Sequence, residues 1–100
     1  MAENEYRLLS GPETEEALKK LGGEWSIRDG KLYRKIVFHD FVEAIGFMVK
    51  IAIEAEKLQH HPEWFNVYNV LEVWLTTHDL GGIGTYDVKL AQKINEHLSR

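Results

Sequence analysis

The chain has 100 residues, 44% of them hydrophobic and 28% charged, with a net charge of −4 and no cysteine. That length holds one domain, 1–100, and no more, and the composition is that of a soluble globular fold. No basic patch is present to displace counterions from nucleic acid, so no such partner is expected.

Without cysteine, disulfides and thiolate metal sites are excluded. The start, MAENEYRLLSGPE, lacks the basic-then-apolar layout of a secretory signal. No run reaches the ~18 apolar residues of a membrane span. A cytoplasmic protein with no membrane partner is therefore expected. A domain this short also tends to gain stability by associating with copies of itself.

Ser10-Gly11-Pro12-Glu13 opens a helix, with Ser10 as cap and Glu13 answering it three residues on. Ala17, Leu18 and Leu21 supply its apolar stripe, and Gly22-Gly23 end it. Short strands follow over 25–27 and 32–38, joined through Arg28-Asp29-Gly30, whose Asp-Gly pair signals a tight hairpin.

Asp40 and Glu43 then cap a long helix. Its polar positions Glu43, Lys50, Glu54 and Lys57 fall within about 60° of one another at about 100° per residue. So narrow a wet stripe requires cover on most other sides. A sheet face supplies about half of it, and a subunit interface is expected to supply more. Glu56 projects about 140° from the stripe's centre, toward the covered side, where a carboxylate needs a partner. His60 comes one helical turn later.

Pro62 closes the helical region. Strands are expected over 64–67 and 70–78, with a turn near Tyr68-Asn69. In the second, Leu71, Val73 and Leu75 share one face; Val70, Glu72, Trp74, Thr76 and His78 share the other. Gly81-Gly82 turn the chain into a last helix over 85–98, with Val88, Ala91, Ile94 and Leu98 inward. The order helix, two strands, helix, two strands, helix predicts an α+β fold. It is a two-layer sandwich of a four-stranded antiparallel sheet with helices packed on one face.

Of five histidines, His60, His61 and His78 fall where regular structure ends, the usual setting for a site. Imidazole moves its proton near neutral pH, so such a set can deliver one proton and remove another. A lone histidine is more often a packed or solvated residue, and His39 and His97, which lack any supporting pattern, are read as structural. Zinc would want three or four ligands, and no H-x-x-x-H or H-x-H spacing occurs. Ser10, Ser26 and Ser99 lie in no G-x-S-x-G elbow. Gly81-Gly82-Ile83-Gly84 is too short for a phosphate loop and lacks its lysine. Trp25, Trp64, Trp74 and Tyr86 are packing residues first, although aromatics near the histidines can stack on a flat heterocycle.

The run Glu56-Lys57-Leu58-Gln59-His60-His61-Pro62-Glu63-Trp64-Phe65-Asn66-Val67-Tyr68-Asn69, with Leu75-Thr76-Thr77-His78-Asp79-Leu80-Gly81-Gly82, resembles the signature of the pterin-4a-carbinolamine dehydratases. Trp25, Phe38-His39-Asp40-Phe41, Gly46-Phe47-Met48 and Asp87 with Leu90-Ala91 extend the likeness over about residues 8–98.

The resemblance implies a lyase that expels water from 4a-hydroxytetrahydrobiopterin and yields quinonoid dihydropterin for recycling after aromatic amino acid hydroxylation. Nitrogen's lone pair drives that elimination, so no metal or redox cofactor is implied. His60 and His78 would be the acid and base partners. His61 would hold and polarise the pterin, and Glu56 would fix an imidazole tautomer. The substrate-binding set implied is Trp25, Glu56, Gln59, His60, His61, Pro62, Thr76, Thr77, His78 and Asp79.

Family members form homodimers or homotetramers, and the animal members also bind a homeodomain transcription factor. A protein-binding module is therefore the alternative function, beside a pterin-handling enzyme outside aromatic hydroxylation. Gln59 stands where the animal proteins carry an acid, and Tyr86 where they carry an arginine; Glu72 and Trp74 depart from them too.

Overall fold

The computed structural model describes residues 5–99; residues 1–4 and 100, which the expected domain and the reading of the N-terminus include, lie outside the described residues. In order the elements are α1 (Gly11–Leu21), β1 (Ser26–Arg28), β2 (Lys31–Val37), α2 (Phe41–Leu58), β3 (Glu63–Val67) and β4 (Val70–Leu75). A 3-10 turn (His78–Leu80) and α3 (Thr85–Leu98) complete the chain. The strands form one antiparallel sheet in the order β1-β2-β4-β3. The expected α+β architecture is present.

Register decides which side chains meet the helices. Leu32, Arg34 and Ile36 of β2 lie opposite Leu75, Val73 and Leu71 of β4. The five apolar members of that set join Phe47, Ile51 and Ala55 of α2 with Leu90, Ala91 and Ile94 of α3 in the core. Leu90 is fully buried, while the expected inward residues Val88 and Leu98 pack at the core's margin. Trp25 is buried and donates its indole N–H to Asn95 of α3 at 2.8 Å.

Local chemistry sets most boundaries. Ser10 and Glu13 make the full reciprocal capping box of α1. At α2, Asp40 accepts from the Glu43 N–H, but Glu43 reaches back to the His39 N–H, one residue before the cap. That helix stops at Leu58, ahead of Pro62, because Gln59 turns left-handed (φ 53°) and its N–H closes on the Ala55 and Glu56 carbonyls.

The strand expected over 70–78 ends at Leu75. Its final pair with β2 is Leu75 with Leu32, beyond which β2 enters the β1–β2 hairpin. Lacking a neighbour, the chain folds on itself: the Thr77 N–H bonds the Gly82 carbonyl at 2.8 Å. Thr76 and His78 therefore do not continue the face of Glu72 and Trp74.

α2 has three faces rather than two. Ala44, Phe47, Ile51 and Ala55 are buried, whereas Phe41, Val42, Ile45, Val49 and Ile53 are exposed. The expected wet stripe is interrupted at Glu54, which turns toward α3 and accepts from His97 Nε2 at 2.9 Å. This contact lowers the Glu54 carboxyl below its ordinary range. Among the described residues no helix is long and apolar enough to cross a membrane.

An N-terminal strap, residues 5–9, lies along the start of α3. Leu9 N–H bonds the Ile83 carbonyl at 2.9 Å, and Thr85 N–H bonds the Arg7 carbonyl at 3.0 Å. Arg7 makes two parallel bonds to Glu13, at 2.9 and 2.6 Å. Its guanidinium, helped by the Ser10 N–H, holds the Glu13 carboxyl down at about 2, against an ordinary 4.5.

A depressed carboxylate contributes stability above its unfolded pKa and loses it as pH falls through the folded one. The thermal midpoint, followed by circular dichroism, is thus expected to drop between pH 4.5 and about 2. Arg7→Met should shrink that drop, leaving the shares of Glu54 and Glu63. An identical acid profile in the variant would exclude the Arg7–Glu13 pair as a contributor.

Candidate active site

Three histidines hydrogen-bond three different carboxylates, each through Nε2. The left-handed Gln59 aims the chain out of α2 so that His60 turns inward, where it is 9% exposed. Its Nε2 lies 2.5 Å from Oδ1 of Asp87, which is fully buried. The other oxygen of Asp87 accepts from the Thr77 hydroxyl and the Gly84 N–H, both at 2.8 Å. Three donors thus satisfy a carboxylate that would be costly to bury alone. Because a carboxylate offers only lone pairs, the imidazole nitrogen must donate. His60 is held as the Nε2–H tautomer, which makes Nδ1 the acceptor nitrogen of the ring.

Glu56 was expected on the covered side of α2 with His60 one turn on. Its side chain is instead 70% exposed, and its Oε2 takes His61 Nε2 at 2.6 Å. The helix ends too soon for the His60 ring to stay on the Glu56 face. His78, 78% exposed on the 3-10 turn, bonds Oε2 of Glu63 at 2.8 Å. Oε1 of Glu63 accepts from Lys31 at 2.7 Å. Lys31 first, and His78 second, lower the Glu63 carboxyl below its usual range.

These bonds gather the loop after α2, the turn after β4 and the start of α3 at one end of the sheet. The Thr77 hydroxyl joins Asp87, its neighbour His78 joins Glu63, and Glu63 lies two residues past His61. Thr76 reaches the Gly82 carbonyl at 3.4 Å, and the Gln59 amide folds back on the Glu56 carbonyl at 2.8 Å. Pro62 lies in the loop just before β3, and both oxygens of Asp79 accept from Tyr6.

Trp25 is not part of this group. Its partner Asn95 is eight residues beyond Asp87 on α3, roughly 12 Å along the helix. Among the described residues, no group of three or more His, Cys, Asp or Glu side chains is arranged to hold a metal ion.

Two of these partners were missed from sequence. Asp87 stands third in the last helix after Gly84, and in the sequence it carried only the family likeness, with no role attached. Glu63 follows Pro62 with no local pattern at all.

The chain is thus an α+β sandwich with three carboxylate-bound histidines gathered at one end of its sheet. The chain belongs to the pterin 4 alpha carbinolamine dehydratase family, whose profile matches residues 7–97. A Solibacter usitatus relative, provisionally named a pterin-4-alpha-carbinolamine dehydratase, is 49% identical over 87% of this chain and 90% of its own. One from Prochlorococcus marinus with the same name is 48% identical over 91% of this chain and 94% of its own. The crystal structure of a transcriptional coactivator/pterin dehydratase from Brucella melitensis superposes with a TM-score of 0.83 at 46% identity. That match covers 88% of this chain and 95% of the Brucella chain.

Proposed function

We propose that the chain, as one domain over 1–100 in the cytoplasm, dehydrates 4a-hydroxytetrahydrobiopterin to quinonoid dihydropterin. The observation that supports this reading is the engagement of His60, His61 and His78 with carboxylates through Nε2, so that Nδ1 of each is the ring nitrogen proposed to act on the substrate. Family membership supplies the reaction class.

In the elimination an acid delivers a proton to the 4a hydroxyl, the C4a–O bond breaks and water leaves. The N5 lone pair closes the C4a=N5 double bond, and a base removes the N5 proton. One proton is given and one taken, so the balance closes without an oxidant. His60 and His78 act as these partners. His61, oriented by Glu56, holds and polarises the pterin, with Gln59, Pro62, Thr76, Thr77 and Asp79 around it. The product is then reduced back to tetrahydropterin. Stopped-flow dehydration of freshly generated 4a-hydroxytetrahydropterin tests the reading, and a wild-type rate equal to the spontaneous one overturns it.

The exposed apolar face of α2 supports assembly into a homodimer or homotetramer, since a patch this contiguous marks a contact surface. Ile53→Glu places a charge in that face and should shift sedimentation toward monomer. An unchanged sedimentation coefficient would place the subunit contact elsewhere. The same face favours a second reading, a protein-binding module, in keeping with the coactivator name that the Brucella protein carries. Partner capture that survives joint replacement of His60, His61 and His78 by alanine separates that role from catalysis.

A further inference from the structure

The N-terminal strap has no part in the chemistry as described, yet its Tyr6 meets the His78 segment directly and reaches His60 through Tyr86. The Tyr6 hydroxyl donates to Asp79, 2.9 Å from Oδ1 and 2.8 Å from Oδ2. Asp79 follows His78 on the 3-10 turn. The Tyr6 ring stands edge-on to Tyr86, with centroids 5.2 Å apart at 80°. Tyr86 in turn stands edge-on to His60, at 6.2 Å and 89°, and Lys89 Nζ lies 5.3 Å from the Tyr86 ring centroid.

The backbone is built to seat the strap there. Thr85 accepts from the Arg7 N–H at 3.4 Å through its hydroxyl, which itself donates to the Glu5 carbonyl. A Cβ at Gly84 would lie 3.0 Å from the Arg7 carbonyl and 3.1 Å from the Thr77 hydroxyl. At Gly82 it would meet Leu8 at 3.1 Å. Both glycines thus admit an approach that a side chain would crowd. The strap is thus bonded to the segment that follows His78 and to the start of α3.

We propose that Tyr6 is a positioning residue for the acid/base site: its hydroxyl fixes Asp79 beside His78 while its ring seats Tyr86 against His60. This rests on the dehydratase reading above. A carboxylate partner keeps the phenol protonated, since Asp79 raises the Tyr6 pKa through their hydrogen bond. Tyr6 is therefore a constant donor across the working pH range. It moves no proton itself. Its effect is on the spacing of the groups that do, and proton transfer is steep in that spacing.

The experiment is a double-mutant cycle on the full chain with Tyr6→Phe, Asp79→Ala and the pair, reading kcat, KM and the thermal midpoint. Phenylalanine keeps the ring on Tyr86 and removes only the hydroxyl. Each single variant is expected to lower kcat about five- to tenfold, Tyr6→Phe with KM within about twofold, and the double should be no slower than the slower single. Thermal midpoints should stay near wild type, because the Tyr6–Asp79 bond is exposed.

Unchanged kcat in Tyr6→Phe overturns the proposal. So do effects that multiply in the double variant, since independent residues would then be acting. A kcat loss matched by an equal loss of folded protein assigns Tyr6 to stability alone and overturns it too. If the wild type fails to dehydrate the substrate at all, the functional reading falls and takes this inference with it. That result is distinguished by the absence of turnover in every arm.

Discussion

Asp87→Asn is expected to preserve the fold while suppressing turnover by ~10²–10⁴-fold. The amide oxygen takes the place of Oδ2, where the Thr77 hydroxyl and Gly84 N–H both donate. The amide nitrogen then faces His60 Nε2 and donates to it. That forces the proton onto Nδ1, the atom through which the proposed reaction runs, so the tautomer is wrong although the contacts survive.

Asp87→Ala should behave differently. It strands three buried donors and removes a paired buried charge, a loss of about 3–5 kcal/mol. For a chain of this size that lowers the melting midpoint by at least about 12 °C. Calorimetry and stopped-flow turnover on the two variants separate the roles. Full activity in Asp87→Asn would show that the His60 tautomer does not matter.

The second large effect concerns the histidines themselves. His78→Ala and His60→Ala are each expected to slow dehydration of the 4a-hydroxy substrate by ~10²–10⁴-fold, but with unequal consequences for the fold. His78 is 78% exposed, and its carboxylate partner Glu63 keeps Lys31, so the alanine variant should melt with wild type. His60 is packed against Asp87, and its loss leaves a buried acceptor oxygen without its donor, costing about 1–3 kcal/mol. Burial separates the two variants. Wild-type turnover in both variants would end the acid/base assignment.

Parts of this site were legible beforehand. The pairing of H-H-P with T-H-D singled out His60, His61 and His78, and the resemblance supplied the chemistry that such residues perform. The carboxylate given to His60 was the wrong one, because Glu56 is its helical neighbour only if α2 continues. Gln59 stops it one residue too early. Asp87 was visible as a family position without a role. Tyr6 carried no signal whatever: its contact with Asp79 spans 73 positions.

The sequence by itself determined the elements and their class. Ser10 with Glu13 and Asp40 with Glu43 are helix starts because capping acts over three residues of backbone. Asp29-Gly30 turns a hairpin with Asp29 at φ 52° and Gly30 at φ 73°, and the alternation in β4 chose its buried face. Such signals act within one or two turns and survive in any context.

Strand order, the turning of Glu54 toward His97, the pairing of His60 with Asp87 and the seat of Tyr6 were decided by tertiary structure alone. Each joins groups far apart along the chain, and none has a local minimum of its own. They become favourable only when packing of the sheet against α2 and α3 has removed water and brought the partners within bonding distance.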